Sequence, residues 1–208
     1  NFAGGEPTLH PGLVRFIRHA KARGMTTSLV TNGFHLARVL DLCADSLDWV
    51  GLSVDSGSER VQAELGRGTG DHVARSIALA DACRQVGVRV KLNSVITALN
   101  VDEDLSELVR AVRPERWKVF QVLRVEGQNE NRVGPLLITG EQFTGFIARH
   151  APLASEGFPP VAESNDAMTD SYVMVDPAGR CFGNAGGKQS YSEPILEVGL
   201  DRALASVG

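Results

Sequence analysis

The chain has 208 residues, 43% of them hydrophobic and 22% charged, enough for one domain with a substantial core. Its net charge of −4 argues against a nucleic-acid partner, and no apolar stretch approaches the roughly 20 residues that span a membrane. Three cysteines, Cys43, Cys83 and Cys181, are too few and too far apart for a disulfide framework or a metal site, and they suit a reducing cytoplasm. Cys43 and Cys83 sit in helical patterns and read as small buried apolar residues.

The chain opens on Asn1-Phe2-Ala3-Gly4-Gly5-Glu6-Pro7, which reads as a strand end where the backbone approaches a ligand. Two glycines there remove the Cβ atoms that would block it. A helix is predicted over 12–23, then a strand from Thr26 to Val30 that ends at Thr31-Asn32-Gly33. Further on come a helix over 35–45 and a strand from Asp48 to Val54. Asp71 to Val86 reads as a long helix with Asp71 as N-cap and Gly87 as its stop. Val88 to Val95 is a strand, Asp102 to Val112 a helix, Arg116 to Val125 a strand and 140–150 a helix. Ser171 to Asp176 and Glu193 to Val198 are expected as strands, the first entering a turn at Pro177-Ala178-Gly179 and the second leading into a helical fragment. Residues 127–138 and 151–165 read as loops. Such alternation predicts an α/β fold of right-handed βαβ units around a mainly parallel sheet, either open or a full or partial barrel. No repeat or linker divides the chain, so one domain over 1–208 is expected.

Strand alternation carries a further expectation. Trp49, Gly51, Ser53 and Asp55 share one face; so do Arg89, Lys91, Asn93 and Val95, and so do Arg116, Lys118 and Phe120. The opposite faces are apolar and belong under helices. The polar faces then line a cleft, where a row of cations is costly unless an anion meets it. Lys91, Arg116 and Lys118 therefore predict a phosphorylated ligand, while Arg89 and Arg124 are expected at strand ends facing solvent. His10, His19, His35, His72 and His150 have no ligand spacing and read as structural or exposed.

Several segments together resemble the radical S-adenosylmethionine (SAM) enzymes of the viperin and prokaryotic viperin family. They are Asn1 to Pro7, Leu65-Gly66-Arg67-Gly68, Lys91 to Ile96 with Asn100, Arg116 to Gln121, Glu163-Ser164-Asn165 and Asp170-Ser171-Tyr172, in the family's order and near its spacing. The resemblance implies a partial (β/α)6 barrel with SAM and a 4Fe–4S cluster as cofactors. It implies a lyase that forms a 5′-deoxyadenosyl radical and removes hydrogen from C4′ of a ribonucleoside triphosphate (CTP, UTP or GTP). Loss of water then gives the 3′-deoxy-3′,4′-didehydro nucleotide, a chain terminator in antiviral defence.

Carried over residue by residue, the resemblance assigns Gly4, Gly5, Glu6, Asn32, Ser53 and Arg67 to SAM. Arg67 would hold its carboxylate; for Asn32 a plain turn is the competing role. Lys91, Asn93, Arg116 and Lys118 are assigned to the nucleotide's ribose and triphosphate, and Tyr172 to hydrogen delivery. An electron donor for the cluster is the implied partner of a cytoplasmic monomer, with no nucleic acid and no evident membrane segment. The family's Cys-x3-Cys-x2-Cys loop is not in this sequence. The barrel is therefore expected to lack its first strand and cluster loop, to be incomplete at the N-terminus and at the C-terminus, and to be inactive as it stands. Two other functions stay open: a radical SAM enzyme acting on a different phosphorylated substrate, and a cluster-less homologue that binds nucleotide without catalysis.

Overall fold

The computed structural model describes residues 1–124, 129, 132–165, 173–183 and 190–207. Contacts divide the chain into two compact units, Asn1–Ala162 and Glu163–Gly208.

The larger unit is built on a sheet of five strands in sequential order: β1 (Ser28–Thr31), β2 (Trp49–Ser53), β3 (Arg89–Ile96), β4 (Arg116–Gln121) and β5 (Pro160–Glu163). β1 to β4 pair in parallel. Phe2 adds a single parallel bridge on the outer side of β1, its N–H donating to Ser28 O at 2.7 Å and its carbonyl accepting from Val30 N at 2.9 Å. The helices between strands are α1 (Leu13–Ala22), α2 (Leu36–Cys43), α3 (Glu59–Glu64), α4 (His72–Gln85), α5 (Ser106–Val112) and α6 (Gly140–His150). Parallel neighbours require such crossovers, because a strand must return to the same end of the sheet before it can pair.

The core follows from strand alternation. Leu29, Val50, Leu52, Val90, Leu92, Trp117 and Val119 lie on one sheet face. They are buried in one cluster with Leu36 and Leu40 of α2, Leu79 of α4, Val109 of α5 and Phe146 of α6. Full burial of each such side chain contributes about 1.5–3 kcal/mol. Cys43 and Cys83 belong to this cluster, as their helical setting implies, and burial pushes the Cys83 thiol up to about 12.

Local chemistry explains where elements depart from the sequence reading. The helix α3 is not among the predicted elements; Ser58 starts it, its Oγ accepting from Val61 N. Asp71 occupies the N-cap position of α4 but makes no capping bond, and its carboxylate pairs with Arg75 at 2.7 Å. Glu59 of α3 caps α4 instead, accepting from the N–H groups of His72 and Val73 at 2.8 Å and of Ala74 at 3.2 Å. A carboxylate at a helix N-terminus meets both the free N–H groups and the helix dipole. The segment 151–165 is not all loop, since β5 forms within it.

In the smaller unit, β6 (Met174–Val175), β7 (Arg180–Gly183) and β8 (Ser190–Pro194) form an antiparallel sheet in that order. Ile195–Val198 is a short helix (α7), not the end of a strand. Pro194 precedes its first residue and Gly199, at φ +82°, follows its last. A second helix, α8 (Leu200–Ala205), follows it. Cys181, Ala203 and Val207 make this unit's own small core. The predicted strand from Ser171 is described only from Val173 onward.

Candidate active site

The sheet face opposite the core carries the polar residues in register. Its rungs run Trp49–Arg89, then Gly51–Lys91–Arg116, then Ser53–Asn93–Lys118, with Val95–Phe120 nearest the carboxyl ends of the strands. Lys91, Asn93 and Lys118 are half-buried, and Arg89 and Arg116 exposed. The expected gathering of Lys91, Asn93, Arg116 and Lys118 on one face is therefore the observed one. Burial, and then the charges of Arg116, Lys118 and Arg89, hold the Lys91 ammonium below the ordinary lysine range. Positive charge is thus concentrated on this sheet face and partly removed from water.

Asn93 lies across Gly51. A Cβ at Gly51 would sit 2.9 Å from Asn93 Nδ2, so the glycine provides the space the amide occupies. Asn93 Oδ1 is buried and has no hydrogen-bond partner among the described residues. An unmet acceptor in a cationic cleft costs about 1–3 kcal/mol and is a ready contact for a ligand hydroxyl.

At the carboxyl ends of the strands a second group of residues converges. Arg67, in the loop between α3 and α4, donates through Nε to Asp55 Oδ2. Asp55 is buried just beyond β2, and its Oδ1 accepts from Val95 N at 2.9 Å. Asn100 closes the arrangement, donating through Nδ2 to Asp55 O at 2.5 Å and to Val95 O at 3.0 Å. Gly68, at φ +69°, fixes the loop: a Cβ there would lie 2.7 Å from the Cβ of His72. His72 is buried, its Nε2 2.8 Å from Ser53 O. Asp55, Arg67, Val95 and Thr97 line a cavity of about 350 Å³. Ligands of α/β sheets bind outside the carboxyl ends of the strands, where this cavity lies.

Glu6 joins the end of β1 to the opening loop. Its Oε1 accepts from Thr8 N at 3.1 Å, Thr8 Oγ1 at 2.6 Å and Thr31 Oγ1 at 2.7 Å, and its Oε2 from Asn32 N at 2.8 Å. Burial alone would raise its pKa, but these hydrogen bonds together outweigh burial and lower it. Gly4, at φ +111°, and Gly5 both face open space, where a Cβ would meet nothing within 4 Å. The Asn32 side chain turns back on its own loop, Oδ1 accepting from Phe34 N at 2.9 Å. Tyr172 lies outside the described residues.

Strand alternation puts Asp55 on the correct face but gives it no role, although its period-two relation to Ser53 is visible in the sequence. Asn100 likewise stands in a recognisable motif without a role. Glu59 gives no signal, because a cap contributed from another helix is not encoded locally.

The model of the radical SAM superfamily matches residues 1–112. An S-adenosylmethionine-dependent nucleotide dehydratase of Flammeovirga pacifica is 43% identical over 211 residues, covering all of this chain and 71% of that protein. The chain belongs to the radical SAM superfamily, in the family of the SAM-dependent nucleotide dehydratases. A second relative of the same name, from Lacinutrix mariniflava, is 41% identical over 99% of this chain but only 44% of its own length. Among solved structures, SAM-bound SuiB of Streptococcus suis superposes with a TM-score of 0.71 at 16% identity, covering 93% of this chain and 51% of SuiB. That likeness concerns the fold, the partial (β/α)6 barrel of radical SAM enzymes.

SAM and a 4Fe–4S cluster are the cofactors of this superfamily. The cavity beside Arg67 suits a ligand with a carboxylate, since Nε is held by Asp55 and the terminal nitrogens have no partner among the described residues. For the cluster the described residues do not fit. Among them no three His, Cys, Asp or Glu side chains could hold a metal ion, and the three cysteines are free and buried. No helix among them is long and apolar enough to cross a membrane.

Proposed function

We propose that this chain forms the body of a nucleotide dehydratase that converts a ribonucleoside triphosphate (CTP, UTP or GTP) to its 3′-deoxy-3′,4′-didehydro analogue, a chain terminator in antiviral defence. The observation that carries this reading is the register of Lys91, Asn93, Arg116 and Lys118 on one sheet face. Lysine and arginine there meet the triphosphate, and the Asn93 amide meets the ribose. The names of the two relatives support the same reading.

The radical chemistry would come from SAM cleaved by one electron from a reduced 4Fe–4S cluster, for which the described residues offer no ligands, with an electron donor as partner. The chain's part is to bind and to orient. Arg67, held through Nε by Asp55, turns its two terminal nitrogens to the SAM carboxylate. Glu6 Oε2 accepts only from Asn32 N among the described residues, which leaves it an acceptor site for the methionyl ammonium. Gly4 and Gly5 leave room for that end of the ligand, and Ser53 stands between the two groups of residues, on the same rung as Asn93. Asn32 contributes its backbone more than its side chain. Tyr172 is the proposed hydrogen donor to the substrate.

The test is an anaerobic incubation of the whole protein with SAM, a reductant and each of CTP, UTP and GTP, followed by mass spectrometry. Where the protein assembles the cluster, the expected products are 5′-deoxyadenosine and a nucleotide lighter by one water; nucleotide binding with no cleavage of SAM would favour a homologue that binds nucleotide without catalysis. Cleavage of SAM with every nucleotide unchanged would overturn the substrate assignment and favour another phosphorylated substrate.

A further inference from the structure

The cationic face extends one rung beyond the residues assigned above. Arg89 lies two residues before Lys91 on β3, opposite Trp49 of β2, and it shares the face of Lys91, Asn93 and Lys118. Its guanidinium carbon sits 3.9 Å from the centroid of the Trp49 ring, and Lys91 Nζ lies 4.8 Å from the same centroid. The ring thus holds two cations beside each other, which like charges alone would oppose.

Several arginines of the larger unit have carboxylate partners. Arg60 pairs with Glu64, Arg75 with Asp71, Arg84 with Asp81 and Arg110 with Glu156. Among the described residues neither Arg89 nor Arg116 has one, in a chain whose acidic residues outnumber its Lys and Arg, 25 to 21. Two acids close by in sequence are committed elsewhere. Asp48 binds Lys21 at 2.6 Å and Thr27 N at 2.8 Å, and Glu115 accepts from Val90 N at 2.7 Å. A guanidinium held against an indole has already lost much of its rotational freedom, so less is lost when it closes on a ligand.

Each rung lies about 7 Å from the next along the strands. A nucleotide with its ribose at Asn93 therefore runs its phosphates past Lys118, Lys91 and Arg116 toward Arg89. We propose that Arg89, braced on Trp49, binds the terminal phosphate and makes the site prefer triphosphates to di- and monophosphates. The proposal rests on the nucleotide reading above and assigns a length-sensing residue to the same site.

The test is calorimetric titration, at one fixed salt concentration, of the whole protein and its R89A, R89K and W49A variants. The probes are the tri-, di- and monophosphates of cytidine, uridine and guanosine, and inorganic tripolyphosphate. Arg89 is exposed, so its replacement leaves the core intact. The expected result is triphosphate affinity about tenfold lower in R89A, with di- and monophosphate affinities unchanged. R89K should recover only part of the loss, because it restores charge without the planar fork, and W49A should resemble R89A. An equal loss for all phosphate lengths, or no loss, would overturn the proposal, and an unchanged W49A would remove the brace from it. If the wild type binds no nucleotide, the nucleotide reading falls; tripolyphosphate bound by the wild type and lost in R89A would still support an anion site at Arg89.

Discussion

Gly51 is small so that Asn93 can lie across it: a Cβ on Gly51 would stand 2.9 Å from Asn93 Nδ2 and 3.2 Å from Val30 Cγ2. Asn93 is thereby laid along the sheet between Ser53 and Lys118. A Gly51→Ala substitution should displace the amide while the sheet ladder persists. Nucleotide affinity is expected to fall about tenfold, the equivalent of one hydrogen bond to a polar ligand. Titration calorimetry and circular dichroism check it together. Unchanged affinity with an intact fold would remove Asn93 from the ligand's contacts.

Asp55 and Arg67 separate stability from binding. Arg67→Ala leaves the buried Asp55 carboxylate without its cation, which should cost about 3 kcal/mol, the low end for a broken buried pair because Arg67 is partly exposed. Adding Asp55→Asn removes the stranded charge and should return much of that stability in urea denaturation. SAM affinity, measured by equilibrium dialysis, should stay low in both variants. Recovery of SAM binding in the double variant would show that Arg67 does not touch the ligand.

Lys118 and Arg67 belong to different ends of the cleft, Lys118 on the Ser53–Asn93 rung and Arg67 beside the cavity beyond it. Lys118→Ala should weaken nucleotide binding about tenfold and leave SAM affinity within twofold, with Arg67→Ala doing the reverse. Equal loss of both ligands in either variant would abolish this division.

The sheet face is legible in the sequence because strand periodicity is local. Val88 to Val95 and Arg116 to Phe120 alternate so strictly that alternation alone puts Lys91, Asn93 and Lys118 on one face. The brace under Arg89 is not legible. Arg89 reads as a strand-end residue facing solvent, and only the register of β2 against β3 brings Trp49 beside it. Register also hides Asp55 from Arg67, twelve residues away across a helix. Ile195–Val198 reads as strand because Ile, Leu and Val favour strands, whereas the flanking Pro194 and Gly199 decide the local backbone and make it a helix.

Away from the site, His150 should make stability depend on pH. It is fully buried, its Nε2 accepting from Leu105 N at 2.9 Å and its Nδ1 donating to Phe146 O at 2.8 Å, with the ring against Trp117. That pattern requires the neutral imidazole. Burial lowers its pKa, and although the Phe146 carbonyl and the Asp104 carboxylate, 3.4 Å away, favour the charged form, burial prevails. The unfolded chain therefore takes up a proton near pH 6.5 that the folded chain refuses until lower pH. Stability should be level above that value and fall as pH drops from it toward the folded pKa, by up to about 1.4 kcal/mol per pH unit. Urea denaturation of the wild type between pH 7.5 and 5.5, roughly one unit either side of the usual histidine value, should show this slope. His150→Gln, less stable throughout, should show a flatter profile. A wild-type stability that rises as pH falls across this window would mean that His150 is charged in the fold and that Asp104, not Leu105, is its partner; a level one would mean that folding leaves its pKa unchanged.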